Sequence, residues 1–225
     1  VRNRSAGILL TGGARGVLVG TNGDGIRDEA ERNLISGNEY FGVLITGTAT
    51  QQNTIAGNLI GTNAAGAARL GNWDAGIGIS DGAHHNLIGT NNSSDGHNGA
   101  EGNLILGDQR LIWIHGGFDN VVAGNSLGVN KAGSQQFYAT HAIVITGGSQ
   151  RNRIGTDGVG ANNDRERNII AGESHGRIVV SDSNTNDNRI SGNYIGLTPN
   201  GTGSFGFSIQ GIIIAGGAKR TLIGT

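Results

Sequence analysis

The chain has no cysteine, no methionine and a single proline among its 225 residues, and aromatic and charged residues make up only 4% and 15% of it. Absence of cysteine excludes disulfide staples and thiolate metal sites, and leaves the compartment open. Sixteen basic residues against seventeen acidic ones give a net charge of -1. A nucleic-acid surface needs a basic stripe, so that partner is not expected. No apolar run approaches the ~18 residues of a membrane span. No secretory leader opens the chain, which begins at Val1. Glycine is what the chain has in excess, with 43 residues, but without the strict three-residue period of collagen.

Internal repetition organises the sequence. An apolar triplet recurs at Ile8-Leu9-Leu10, Val43-Leu44-Ile45, Ile77-Gly78-Ile79, Ile112-Trp113-Ile114, Ile143-Val144-Ile145, Ile178-Val179-Val180 and Ile212-Ile213-Ile214, at steps of 35, 34, 35, 31, 35 and 34 residues. A second pattern, N-x-I-x-G, begins at Asn53, Asn86, Asn120, Asn152 and Asn188, with Gly16 and Thr221 in the equivalent places. A third, N-x-[IL], begins at Asn33, Asn58, Asn103, Asn125, Asn168 and Asn193. Each segment is too short for a helix and alternates with period two, so each reads as a strand. Three strands per period describe one coil of a parallel β-helix of about seven coils. The second-to-third steps are 17, 5, 17, 5, 16 and 5, and the third-to-first steps are 10, 19, 9, 18, 10 and 19. Odd and even coils therefore carry long loops at different corners, and the unit is a two-coil pair near 69 residues.

Alternate residues point inward, so Ile55, Ile88, Val122, Ile154, Ile190 and Ile223 are expected to stack in one column. Ile35, Ile60, Ile105, Leu127, Ile170 and Ile195 are expected in a second. The corner Asn residues are placed to bond the coils above and below as ladders. At about 4.8 Å per strand, seven coils make a rod on the order of 30 Å long. The whole chain, 1–225, reads as one β-helix domain. Neither end carries a recognisable cap, which predicts further coils on both sides or ends that stack on other copies.

The phrases NTIAGNLIGTN (53–63), ERNLISGN (31–38) and NRISGNYIGLT (188–198) resemble the pectin-lyase-like superfamily of right-handed β-helices. More narrowly, they are similar to the tandem repeats of very large secreted or surface-attached bacterial proteins. The resemblance covers almost the whole chain. It implies an extracellular or cell-surface location, and a superfamily that includes lyases, hydrolases and adhesins. Enzymes of that kind cluster carboxylates with Arg, Lys or His on neighbouring strands. Here Asp81 and Asp182 lie three coils apart, while Glu39, Asp108 and Glu173 recur every second coil, about 10 Å apart. Arg153 and Arg189 are outward neighbours with Asp187 near them, and read as a solvated polar face. His115 and His175 read as surface residues. The expectation leans away from an enzyme.

Two candidate sites remain. The loop TNGDGIRDEAERN (21–33) offers Asn22, Asp24, Asp28 and Glu31 at a density of oxygen ligands that suits Ca²⁺, against the plainer reading of a capped polar turn. A structural Ca²⁺ is the one cofactor suggested, and none is required. The second candidate is the outward row Leu9, Leu44, Gly78, Trp113, Val144, Val179 and Ile213, an apolar stripe that something must cover. Even-coil loops bring Trp73, Phe137, Tyr138, Phe205 and Phe207 close by. Those aromatics are expected to fold over the stripe. Otherwise stripe and aromatics form an interface for self-association, lateral or end to end, or a platform for an extracellular polysaccharide. The function expected is a structural or adhesive segment, with a carbohydrate-active fragment as the alternative.

Overall fold

The computed structural model describes residues 2–93, 96–107, 109–160, 162–206 and 209–224. Seven strands, Ala6–Leu10, Phe41–Thr46, Ala75–Ser80, Arg110–His115, Ala139–Thr146, Glu173–Val180 and Ile212–Ile214, lie side by side in chain order as sheet A. Sheet B stacks Leu18–Gly20, Thr54–Ala56, Leu87–Gly89, Val121–Ala123, Arg153–Gly155, Arg189–Ser191 and Leu222–Ile223. Sheet C stacks Leu34–Ile35, Leu59–Ile60, Leu104–Ile105, Ser126–Leu127, Ile169–Ile170 and Tyr194–Ile195. All these pairings are parallel, each strand joining its equivalents one coil before and after. The chain is an all-β parallel β-solenoid with three strands per coil: six coils are complete, and the seventh contributes to sheets A and B.

Both expected columns form. Val19, Ile55, Ile88, Val122, Ile154, Ile190 and Ile223 are in register along sheet B, and Ile35 through Ile195 along sheet C. Together with the inward residues of sheet A they make one continuous core up to Ile190 and Ile195, beyond which Ile223 is 55% exposed. The Asn ladders form as well. Asn53, Asn86, Asn120 and Asn152 each donate Nδ2–H to the Oδ1 of the next rung at 3.0 Å. The same Oδ1 accepts the backbone N–H of the rung before it. A second ladder runs from Asn33 to Asn193. A short third one, unforeseen, links Asn3, Asn38 and Asn72 at 2.7 Å.

One alignment is corrected. Val17, not Gly16, occupies the first rung of the sheet B ladder, its N–H bonding Asn53 Oδ1 at 3.0 Å. Gly16 belongs one place earlier, in a corner column that continues through Gln52, His85, Asp119, Arg151, Asp187 and Arg220. All of these lie in the left-handed region, with φ between 52° and 65°. Six of the seven are not glycine, so the ladder and strand bonds on either side hold a conformation that L-residues adopt reluctantly.

Loops fall in two rows, as the alternating steps predict. Odd coils project 21–33, 90–103 and 156–168 between sheets B and C; the middle one contains the short helix Asn98–Glu101. Even coils project 61–74, 128–138 and 196–211 between sheets C and A. Each of these is pinched by an antiparallel bridge: Thr62 with Arg69, Val129 with Gln136, and Leu197 with Ser204. Members of a row touch across the intervening coil. Lys131 N–H bonds Gly66 O at 2.9 Å in the even row, and Asn162 Nδ2 bonds Ser93 O at 3.0 Å in the odd row.

The alternation reaches the core. Gly20, Gly89 and Gly155 in odd coils are in register with Ala56, Ala123 and Ser191 in even coils. A Cβ at any of the three glycines, whose φ lies between 93° and 107°, would sit within 1.8–2.0 Å of the next coil's carbonyl oxygen.

Candidate functional site

Sheet A carries the apolar stripe on its outer face. Val144 is buried, Leu44, Trp113, Val179 and Ile213 are half-buried, and Leu9 is 51% exposed. What covers the middle of the stripe comes from the sheet itself. Gly78 leaves a gap in the row, and the Phe41 ring from one coil earlier fills it: a Cβ at Gly78 would lie 2.9 Å from that ring. Phe41 thereby stacks on Trp113, two coils away, with centroids 6.1 Å apart and planes 9° from parallel. His115 lies 5.0 Å from Trp113 on the same face, and the Arg110 guanidinium sits 4.4 Å from the indole centroid while pairing with Asp74. Phe41, Arg110 and Asp74 are site residues that strand patterns alone do not single out. The usable signal was register: Phe41, Ala75 and Arg110 are aligned, with the small residue between two large ones.

The loop aromatics behave differently from expectation. Trp73 and Tyr138 are 65% and 56% exposed, so they do not fold over the stripe. Phe137 and Phe205 are half-buried. Phe207 and Asp108 lie outside the described residues, as does the side chain of Glu173. Trp73 instead lines an open cleft with Tyr40, Glu39 and Arg2, at the edge of sheet A where the third corner meets the first strand. Tyr40, 50% exposed, was not anticipated there.

Polar groups collect at the other end of the same strands. Asp81 accepts hydrogen bonds from Thr46 Oγ1 at 2.7 Å and Ser80 Oγ at 2.9 Å. These two bonds, Thr46 foremost, and the nearby His115 hold its carboxyl below the usual carboxylate range. His115, expected as a plain surface residue, has this carboxylate beside it because Asp81 follows Ser80, which is aligned with His115. Asp182 is three coils on and accepts the Gly147 N–H at 3.0 Å. His175 is exposed, its ring 6.1 Å from that of His141.

In the 21–33 loop the four candidate ligands are spent on the turn. Thr21 Oγ1 bonds Asp28 Oδ1 at 2.8 Å, and Asn22 N–H bonds Glu31 Oε2 at 3.1 Å. Asp24 accepts from Ile26 N–H at 2.7 Å and from Asn22 Nδ2 at 3.0 Å, which lowers its pKa. The other two odd loops repeat the device with Thr90, Asn98 and Glu101, and with Thr156, Asn163 and Glu166. Neutral Asn98 and Asn163 do what Asp28 does, so the turn requires an oxygen acceptor and not a charge. Among the described residues no group of three or more His, Asp or Glu is arranged to hold a metal ion. Arg153 pairs with buried Glu166 at 2.6 Å, and Arg189 donates to Asp157 O at 2.9 Å. Asp187 bonds neither of them and pairs with Arg220 at 2.6 Å.

These features define an all-β solenoid with an aromatic and apolar sheet A face flanked by exposed loop aromatics. The chain matches no known family model, no curated protein and no solved structure. No helix among the described residues is long and apolar enough to cross a membrane.

Proposed function

We propose that the chain is a spacer and display segment of a large extracellular bacterial protein, built as a right-handed β-helix of the pectin-lyase-like kind. The observation that carries this reading is the unbroken axial bonding. Sheet A and sheet B run through all seven coils, sheet C through six, and two Asn ladders accompany them. A load along the rod is shared by many parallel bonds in every coil, while the loops stand clear as display rows. Sheet A supplies the assembly surface, because Leu9 is exposed and Leu44, Trp113, Val179 and Ile213 are only half-buried. Sedimentation is expected to detect weak self-association that Trp113→Asp removes. Unchanged association with a lowered Tm would overturn the assembly role and leave Trp113 a packing residue.

A second reading rests on the cleft of Arg2, Glu39, Tyr40 and Trp73. Two exposed rings beside one cation and one carboxylate suit stacking and hydrogen bonding to a polysaccharide. Uronate oligosaccharides are then expected to change the emission of Trp73, and Trp73→Ala to lose the response. Cleavage of the same polymers, lost in Asp81→Asn, would make the chain an enzyme instead.

A further inference from the structure

His84 and His85 stand at the corner between sheets A and B, on the opposite side of the turn from the Asn ladder. His84 is bridged to Gln51 and Phe118 of the neighbouring coils, and its ring stacks on that of Phe118, 4.5 Å away and 15° from parallel. His85 takes the left-handed corner conformation, with φ 53° and its N–H on Phe118 O. That conformation turns its ring back towards its neighbour, edge-on to both His84 and Phe118. The two Nδ1 atoms end 2.7 Å apart. Such a distance requires one Nδ1 to carry the proton and the other to present its lone pair. The cation beside them, Arg151, lies 5.7 Å from the Phe118 ring and is neutralised by Asp119 at 2.8 and 2.9 Å.

We propose that His84 and His85 form a surface site for a divalent copper ion, bound through both Nδ1 atoms. Moving the single shared proton from Nδ1 to Nε2 of the same ring frees the second lone pair, so two neutral imidazoles bind the ion with no net proton release. At metal–nitrogen distances of about 2.0 Å, two cis ligands of a square-planar ion lie about 2.8 Å apart, and those of a tetrahedral ion about 3.3 Å. The observed spacing needs only a small opening for the square-planar case. Copper also heads the divalent affinity order at nitrogen sites. The protein supplies two ligands, which leaves the remaining positions to water or to an outside donor.

Titration of the intact chain with Cu²⁺ at pH 7.5 is expected to give a saturable site of one ion per chain, with a tetragonal paramagnetic-resonance spectrum showing nitrogen ligands. His85→Asn keeps a residue that tolerates the left-handed corner and is expected to weaken binding at least tenfold with an unchanged circular-dichroism spectrum. His84→Gln is expected to do the same, and His141→Gln to leave binding intact. Equal binding by the chain and both corner variants, or a spectrum without the nitrogen pair, would overturn the site.

Discussion

Asn120 uses every hydrogen-bonding atom of its side chain. Its Nδ2 donates to Asn152 Oδ1 and Ala83 O, and its Oδ1 accepts the backbone and side-chain N–H groups of Asn86. Truncation would leave buried donors and acceptors unpaired on both neighbouring coils. Asn120→Ala is expected to cost about 2–4 kcal/mol, read as a lowered urea midpoint. Asn33, exposed at the start of the other ladder, is expected to cost under about 1 kcal/mol as Ala, because water replaces what it loses. These rungs were legible in advance because Asn recurs at a fixed offset from an inward Ile. The left-handed corner column was not. Gln52, His85, Asp119 and Arg151 share no side-chain chemistry, and only the backbone path makes them equivalent.

Single coils are not interchangeable as elements. An odd coil needs glycine at the end of its sheet B strand, where an even coil has Ala or Ser. Gly89→Ala is expected to destabilise by at least about 3 kcal/mol, since a positive φ and a carbonyl clash act together. Ala123→Gly, its partner in the next coil, is expected to cost only about 1 kcal/mol. Thermal unfolding of the two variants measures the contrast. The loop rows were readable from spacing, which is an element-scale property. The Phe41–Trp113 stack was not, because it bridges two coils and depends on the vacancy at Gly78. The aromatics of the even loops misled for a related reason: they follow the bridge that closes each loop, and proximity in sequence to the stripe does not fix which way a side chain turns there.

At the scale of the whole molecule, the unit that can be removed is the pair. Deleting 43–111, which is 69 residues, joins Gly42 to Ile112, a residue two coils on and in register with Val43. It is expected to leave a shorter, cooperatively unfolding rod. Deleting 43–76, a single coil, brings the 21–33 and 90–103 loops onto adjacent coils, where about 4.8 Å of rise cannot hold both. That variant is expected to lose cooperativity in calorimetry. Acid acts on the molecule as a whole too. Asp24, Asp81, Asp187 and Glu29 all have carboxyls held below their ordinary range, by bonds from Ile26 N–H, Thr46, Arg220 and Lys131 respectively. A depressed folded pKa gives stability that is present above the unfolded value, near 4, and is lost as pH falls through the folded one. Tm is therefore expected to hold from neutral pH to about 5 and to decline below about 4. The alternation of loops has one more consequence. Every loop has twice the headroom that a loop on each coil would leave, about 9.6 Å, close to the thickness of a packed protein layer. Each row is thus a ridge with one insert on every second coil, each insert just tall enough to reach the next, as the bonds from Lys131 N–H to Gly66 O and from Asn162 Nδ2 to Ser93 O show.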